Sequence, residues 1–205
     1  MVLTIENDQG VQTMIDDMLP PVIFQKQREF IRIFGAKRDF VWWAKTLVTE
    51  ETKELIEADE KNLGMNEILK EMADLVYVLA GFYNTMPQVP DEIIDEKTNQ
   101  EIQKIYQEAV QTLSDISQKL KITAEIVTDA FMIVHESNLS KLDDDGNPIR
   151  REDGKILKGP NYKAPDMTPV VQKWESFVRE LRRTGQDKSA RKIFEEMVSN
   201  TTRPN

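Results

Sequence analysis

Cysteine is absent from the 205 residues. That excludes disulfide frameworks, Cys-ligated zinc, iron–sulfur clusters and thiol nucleophiles. Histidine occurs once, as His135. A HExxH zinc site and a di-iron centre built on two ExxH motifs both need more than one, so neither is available. No apolar run approaches the length of a membrane-spanning helix, so no membrane partner is expected. The opening residues, MVLTIENDQG, lack a basic stretch followed by an apolar one. The expectation is a protein without a secretory signal, soluble and cytoplasmic. Positive charge is in deficit, with 27 Lys and Arg against 36 Asp and Glu and a net charge of −9. Such a chain is not expected to hold nucleic acid as a stable partner, because phosphate binding needs a basic footprint.

What remains is rich in helical signals. Ile23, Phe30, Ile31 and Phe34 predict a first helix over 22–34, closed by Gly35. A second helix is predicted over 40–61, with Gly64 in the turn that follows, and a third over 66–84. The fourth, over about 91–120, carries Ile102, Tyr106, Ala109, Leu113, Ile116 and Leu120 at alternating spacings of four and three, a heptad seam. Thr123 opens a fifth helix that runs to about 142. Residues 143–166 are crowded with Asp-Gly, Asn-Pro and Gly-Pro turn pairs, which predict a short β-hairpin or an ordered loop. Thr168-Pro169 then starts a helix that Gly185 ends, and a last one is predicted over about 188–198. The fold class is all-α.

The chemistry lies in the carboxylates. Glu50, Glu51 and Glu54 form EExxE, and Glu71 with Asp74 forms ExxD. Clustered acids on a helix usually mark a solvated face. On a regular wheel, however, Leu47, Leu55 and Ala58 all fall within about 40° of Glu51, with Glu54 at about −60° and Glu50 further out. The stretch Met72–Tyr83 is almost wholly apolar, with Asp74 as its one charge. Acids aimed into an apolar seam need compensation or take up protons. Nearby basic candidates are few, chiefly Lys45 and Lys70, and divalent cations serve better. Carboxylates without His or Cys select hard ions, Mg²⁺, Mn²⁺ or Ca²⁺. Such ions act commonly on phosphates, which points to metal-assisted phosphate hydrolysis.

EExxE followed by ExxD on adjacent helices resembles the MazG-like all-α nucleoside triphosphate pyrophosphohydrolases. The stretch His135-Glu136-Ser137-Asn138-Leu139-Ser140-Lys141-Leu142, with the loop through Lys158-Gly159-Pro160, is similar to one branch of that family. REFIRIFG at 28–35 resembles its first helix. The resemblance implies a MazG-like helical bundle at 1–166 with a long inserted helix at about 87–121, and a C-terminal helical extension at 167–205. It implies cleavage of the α–β bond of an NTP or dNTP to NMP and pyrophosphate, with Mg²⁺ as cofactor and Mn²⁺ as a substitute. Glu51, Glu54, Glu71 and Asp74 would then be metal ligands, and Glu50 the acid that orients the attacking water. Asn138, Lys141 and Lys158 would bind the triphosphate. A homodimer or dimer of dimers is expected.

Several residues have plainer readings. Trp42 and Trp43 could stack a base but fit a core better, and His135 fits a packed position better than a catalytic one. Gln25 and Gln27 could read a base edge. Gly154 and Gly159 imitate a phosphate-binding loop, but Pro160 stands where a Lys is required. The rival to an enzyme is a non-catalytic helical adaptor that uses the heptad helix and the basic stretch at 150–192.

Overall fold

The computed structural model describes residues 19–36, 39–86, 95–150 and 156–185. Among them every regular element is a helix. α1 spans Pro21–Phe34, α2 Phe40–Trp42, α3 Thr49–Glu60, α4 Met65–Thr85, α5 Glu96–Leu120, α6 Ala124–Leu139 and α7 Thr168–Thr184. A π-helical segment, Trp43–Val48, joins α2 to α3. The regular helix expected over 40–61 is thus interrupted just before EExxE. Thr49 explains how the wider turn is satisfied. Its backbone N–H and its Oγ1 both donate to the Ala44 carbonyl, five residues back. Single π turns of this kind often sit beside functional residues.

α4 is the centre of the bundle, packed by α1, the π segment, α3, α6 and α7. Its apolar run makes this possible. From Leu75 to Phe82 every residue is buried, and Tyr83 in the last turn is exposed. Gly81 permits the closest approach, because a Cβ there would lie 2.1 Å from the Trp43 ring. The π segment therefore lies almost directly on α4. The turn at Lys61–Gly64, with Asn62 and Gly64 at positive φ, folds α3 back against α4 as an αα-hairpin.

The heptad seam of α5 faces this molecule rather than open solvent. Ile102, Ala109, Leu113, Ile116 and Leu120 are buried, and α5 lies against α3 and the π segment. α5 begins at Glu96 rather than near 91, because Asp95 is extended and its carboxylate accepts the Thr98 N–H as an N-cap. Thr123 caps α6 as expected, but α6 stops at Leu139, three residues short of the expected end. The turn-rich stretch forms no ladder among its described residues. Isolated bridges join Leu142 to Pro148 and Arg150 to Ile156, in place of a regular hairpin. Arg150 donates to the Phe34 carbonyl, so this loop caps the end of α1. Val170 of α7 joins the common core, and Trp174 Nε1 donates to the Leu120 carbonyl at 2.7 Å. The helix expected over 188–198 lies outside the described residues.

Candidate functional site

The α3–α4 hairpin brings Glu51, Glu71 and Asp74 together. One oxygen from each lies within 4.8 Å of the others. Glu71 is buried, and its Oε2 has no hydrogen-bond partner. Its other oxygen accepts from Lys70 Nζ at 2.6 Å, and Lys70 also lies 3.2 Å from Asp74 Oδ2. Glu67, one turn earlier on α4, adds to the causes that raise the Glu71 carboxyl.

Crowding shows in the acidities. Burial, reinforced by Asp74, Glu54 and Glu71, pushes Glu51 from 4.5 up to about 8. Burial raises Glu71 to about 7, against the pull of Lys70. Burial raises Asp74 as well, with Lys70 and Lys141 opposing. Lys70 is held firmly charged by Glu71 and Asp74 in spite of its own burial. The apo protein therefore keeps this cluster partly protonated and leans on one ammonium. An orphaned buried oxygen, three converging hard donors and a deficit of positive charge suit a divalent cation of the Mg²⁺ type.

Glu54 departs from the expectation. It is exposed rather than set in the apolar arc, and it lies outside the three-carboxylate group. Two causes act together. The π segment shifts Ala44 and Leu47 off a 100° wheel, and Glu54 stands at the rim, where none of the described helices covers it. Its charge still reaches Glu51. Glu50 is likewise exposed, in the first turn of α3.

The second wall comes from α6 and the loop behind it. Lys141 is half-buried, and burial pushes its ammonium down while Asp74 and Glu51 oppose this. It donates to Asn138 Oδ1 at 2.6 Å. Lys158 approaches the same place, close enough to affect Lys141, with its ammonium 4.5 Å from the Tyr162 ring centroid. The loop is pinned there by small residues. Ser137 Oγ donates to the Lys163 carbonyl at 2.7 Å, and the Lys163 N–H donates to Ser140 Oγ at 2.8 Å. Gly159 lies so near that a Cβ would stand 2.8 Å from the carbonyls of Lys141 and Leu142. The spacing of Ser137, Asn138, Ser140 and Lys141 is thus a docking device as well as a set of donors.

The remaining candidates separate cleanly. Trp43 is core, and Trp42 is half-buried with its ring edge-on to Trp43. Gln25 is exposed, whereas Gln27 is buried with neither amide atom partnered. Lys45 pairs with Glu101 of α5 at 2.5 Å and does not serve the acids.

Residues 32–101 match the family model described as phosphoribosyl-ATP pyrophosphohydrolase, and that family lies within the MazG-like all-α NTP pyrophosphohydrolase superfamily. The matched span contains both acidic motifs and ends in the second turn of α5. No curated protein and no solved structure matches the chain.

Proposed function

We propose, on the match of residues 32–101 to a pyrophosphohydrolase family model, that this protein hydrolyses an NTP or dNTP between the α and β phosphates, releasing NMP and pyrophosphate. The observation that carries the reading is the convergence of Glu51, Glu71 and Asp74 opposite Lys141. Acids that hold a cation face a cation that holds phosphate.

In this reading Glu51, Glu71 and Asp74 hold Mg²⁺, with Mn²⁺ as a substitute, and Glu54 supplies a further carboxylate from the rim. The metal would supply charge neutralisation of the phosphates and a lowered pKa for water. Lys70 already balances part of the acidic charge and keeps Glu71 and Asp74 oriented before a ligand arrives. Glu50, exposed beside Glu51, orients the attacking water by accepting one of its protons. Asn138 and Lys141 fix the triphosphate from α6, and Lys158 leaves its ring contact to close over it. Pinning both ends of the reacting bond in one geometry is where such a site gains most of its rate. A homodimer or dimer of dimers is part of the same proposal, testable by light scattering.

The test is product analysis. Each common NTP and dNTP, together with phosphoribosyl-ATP, is incubated with the protein in Mg²⁺ or in EDTA. NMP and pyrophosphate appearing only with Mg²⁺ is the expected result. NDP and orthophosphate would overturn the α–β assignment. No turnover of any substrate with Mg²⁺ or Mn²⁺ would favour the non-catalytic adaptor.

A further inference from the structure

Two side chains from the stretch between α2 and α3 land on α4. Trp43 of the π segment lies against Gly81, where a Cβ would stand 2.1 Å from its ring. Glu51 of α3 meets Glu71 and Asp74 in the carboxylate group. The spacing of the landing points differs from the spacing of the residues that use them. Asp74 and Gly81 are seven residues apart on one unbroken α-helix, Met65–Thr85. Seven residues at about 100° each fall about 20° short of two turns, so the two positions share a face. Trp43 and Glu51 are eight residues apart. Eight residues of α-helix overshoot two turns by about 80°. A regular helix with Trp43 on Gly81 would therefore turn Glu51 away from the acids of α4.

The π segment removes this excess. The Thr49 N–H reaches back five residues to the Ala44 carbonyl, where an α-helix would reach back four. A turn closed in this way spends about one residue more on the same rotation. The eight residues from Trp43 to Glu51 then advance about as far as seven, and both side chains face α4, as Gly81 and Asp74 face them. Side-chain hydroxyls hold the wide turn open. Thr49 Oγ1 donates to the same Ala44 carbonyl at 3.1 Å, and Thr52 Oγ1 donates to the Val48 carbonyl at 2.6 Å. Hydroxyls bonded back to helix carbonyls compete with the regular ladder and bend it.

We propose that the π turn is a register device and that Thr49 is a positioning residue, acting through it to set Glu51 against Glu71 and Asp74. This deepens the proposed function and rests on its reading of those acids as metal ligands. The test takes one residue out of the turn. In a full chain lacking only the exposed Thr46, Trp43 and Glu51 stand seven apart and a regular α-helix suffices. Mn²⁺ affinity is read without nucleotide, from the paramagnetic resonance of the free ion, beside the melting temperature. The deletion should bind Mn²⁺ within about twofold of the native chain. Thr49→Val keeps the branched shape and loses the hydroxyl. It should weaken binding about fivefold in the native background, but less than about twofold in the deletion, where no wide turn is left to hold. Thr49→Ser should restore native affinity. A Thr49 that served stability alone would lower the melting temperature in both backgrounds and leave Mn²⁺ affinity unmoved, and that result overturns the proposal. So does a folded deletion that binds Mn²⁺ more than about tenfold more weakly. If the deletion does not fold, Thr49→Val and Thr49→Ser decide, and equal affinities overturn the proposal. A protein that binds Mn²⁺ through Glu51 yet fails these contrasts loses the register device and keeps its function. Native Mn²⁺ affinity in Glu51→Gln would overturn both the metal role of Glu51 and the role of Thr49.

Discussion

Replacing Glu51 by Gln should stabilise the metal-free protein, and the size of the effect follows from its acidity. A carboxyl raised from 4.5 to about 8 keeps its proton in the folded state after the unfolded chain has lost it. The folded state then binds more protons across that window, so stability falls as pH climbs and levels off above about 8. Between about pH 5.5 and pH 7 the slope of about 1.4 kcal/mol per unit sets a ceiling of about 2 kcal/mol for Glu51. Glu71 and Asp74 shift in the same direction, but the three share one repulsion and their effects do not add independently. His135 works oppositely. Burial lowers its pKa, so its contribution rises with pH, and it cancels because both proteins carry it. Urea unfolding in EDTA at those two pH values should show the native protein losing about 2 kcal/mol more than Glu51→Gln. Mg²⁺ at about a hundredfold over its Kd should then stabilise the native protein by about 2.7 kcal/mol and leave the variant unchanged. Parallel pH profiles for the two proteins would refute the view that Glu51 stands in a crowded, desolvated group.

Other variants probe the parts separately. Lys70→Met removes the ammonium that serves Glu71 and Asp74, so the fall in apo stability with pH should steepen in the same urea experiment. Gly81→Ala sets a methyl into the Trp43 ring and should cost about 1–3 kcal/mol by thermal melting. Gly159→Ala pushes the loop off the carbonyls of Lys141 and Leu142. It should raise KM for nucleotide more than it lowers kcat, because Lys158 is displaced while the carboxylates stay. Trp174→Phe removes one hydrogen bond to Leu120 and should cost about 1 kcal/mol with turnover unchanged.

The parts of the site legible in the sequence were those where apolar context made a polar residue conspicuous. Asp74 stood alone in a run that could only be core, and Glu51 lay in an arc with Leu55 and Ala58. Both belong to the carboxylate group. Glu54 was misplaced because a wheel reports direction and not cover, and because the π turn at Trp43–Val48 breaks the regular rotation the wheel assumes. No residue type announces such a turn; it becomes visible only when Thr49 is seen to satisfy a carbonyl five residues back. Lys70 was visible as a candidate but not as the chosen one. Lys45 had equal standing until α5 placed Glu101 against it.

The least legible feature was the buried contact between Tyr77 and His135, and the reason lies in how a helix such as α4 is covered. Tyr77 sits three residues after Asp74, inside an apolar run where its ring alone accounts for its presence. Its hydroxyl meets His135, 58 residues further along the chain, because α6 packs on α4. Periodicity reports which face of a helix is buried, whereas hydrogen-bond partners depend on the helix that covers that face. A buried phenol or imidazole carries a cost unless such a partner is present. A single histidine in the whole chain, placed within reach of that phenol and of Glu29, therefore has a structural reason to be where it is.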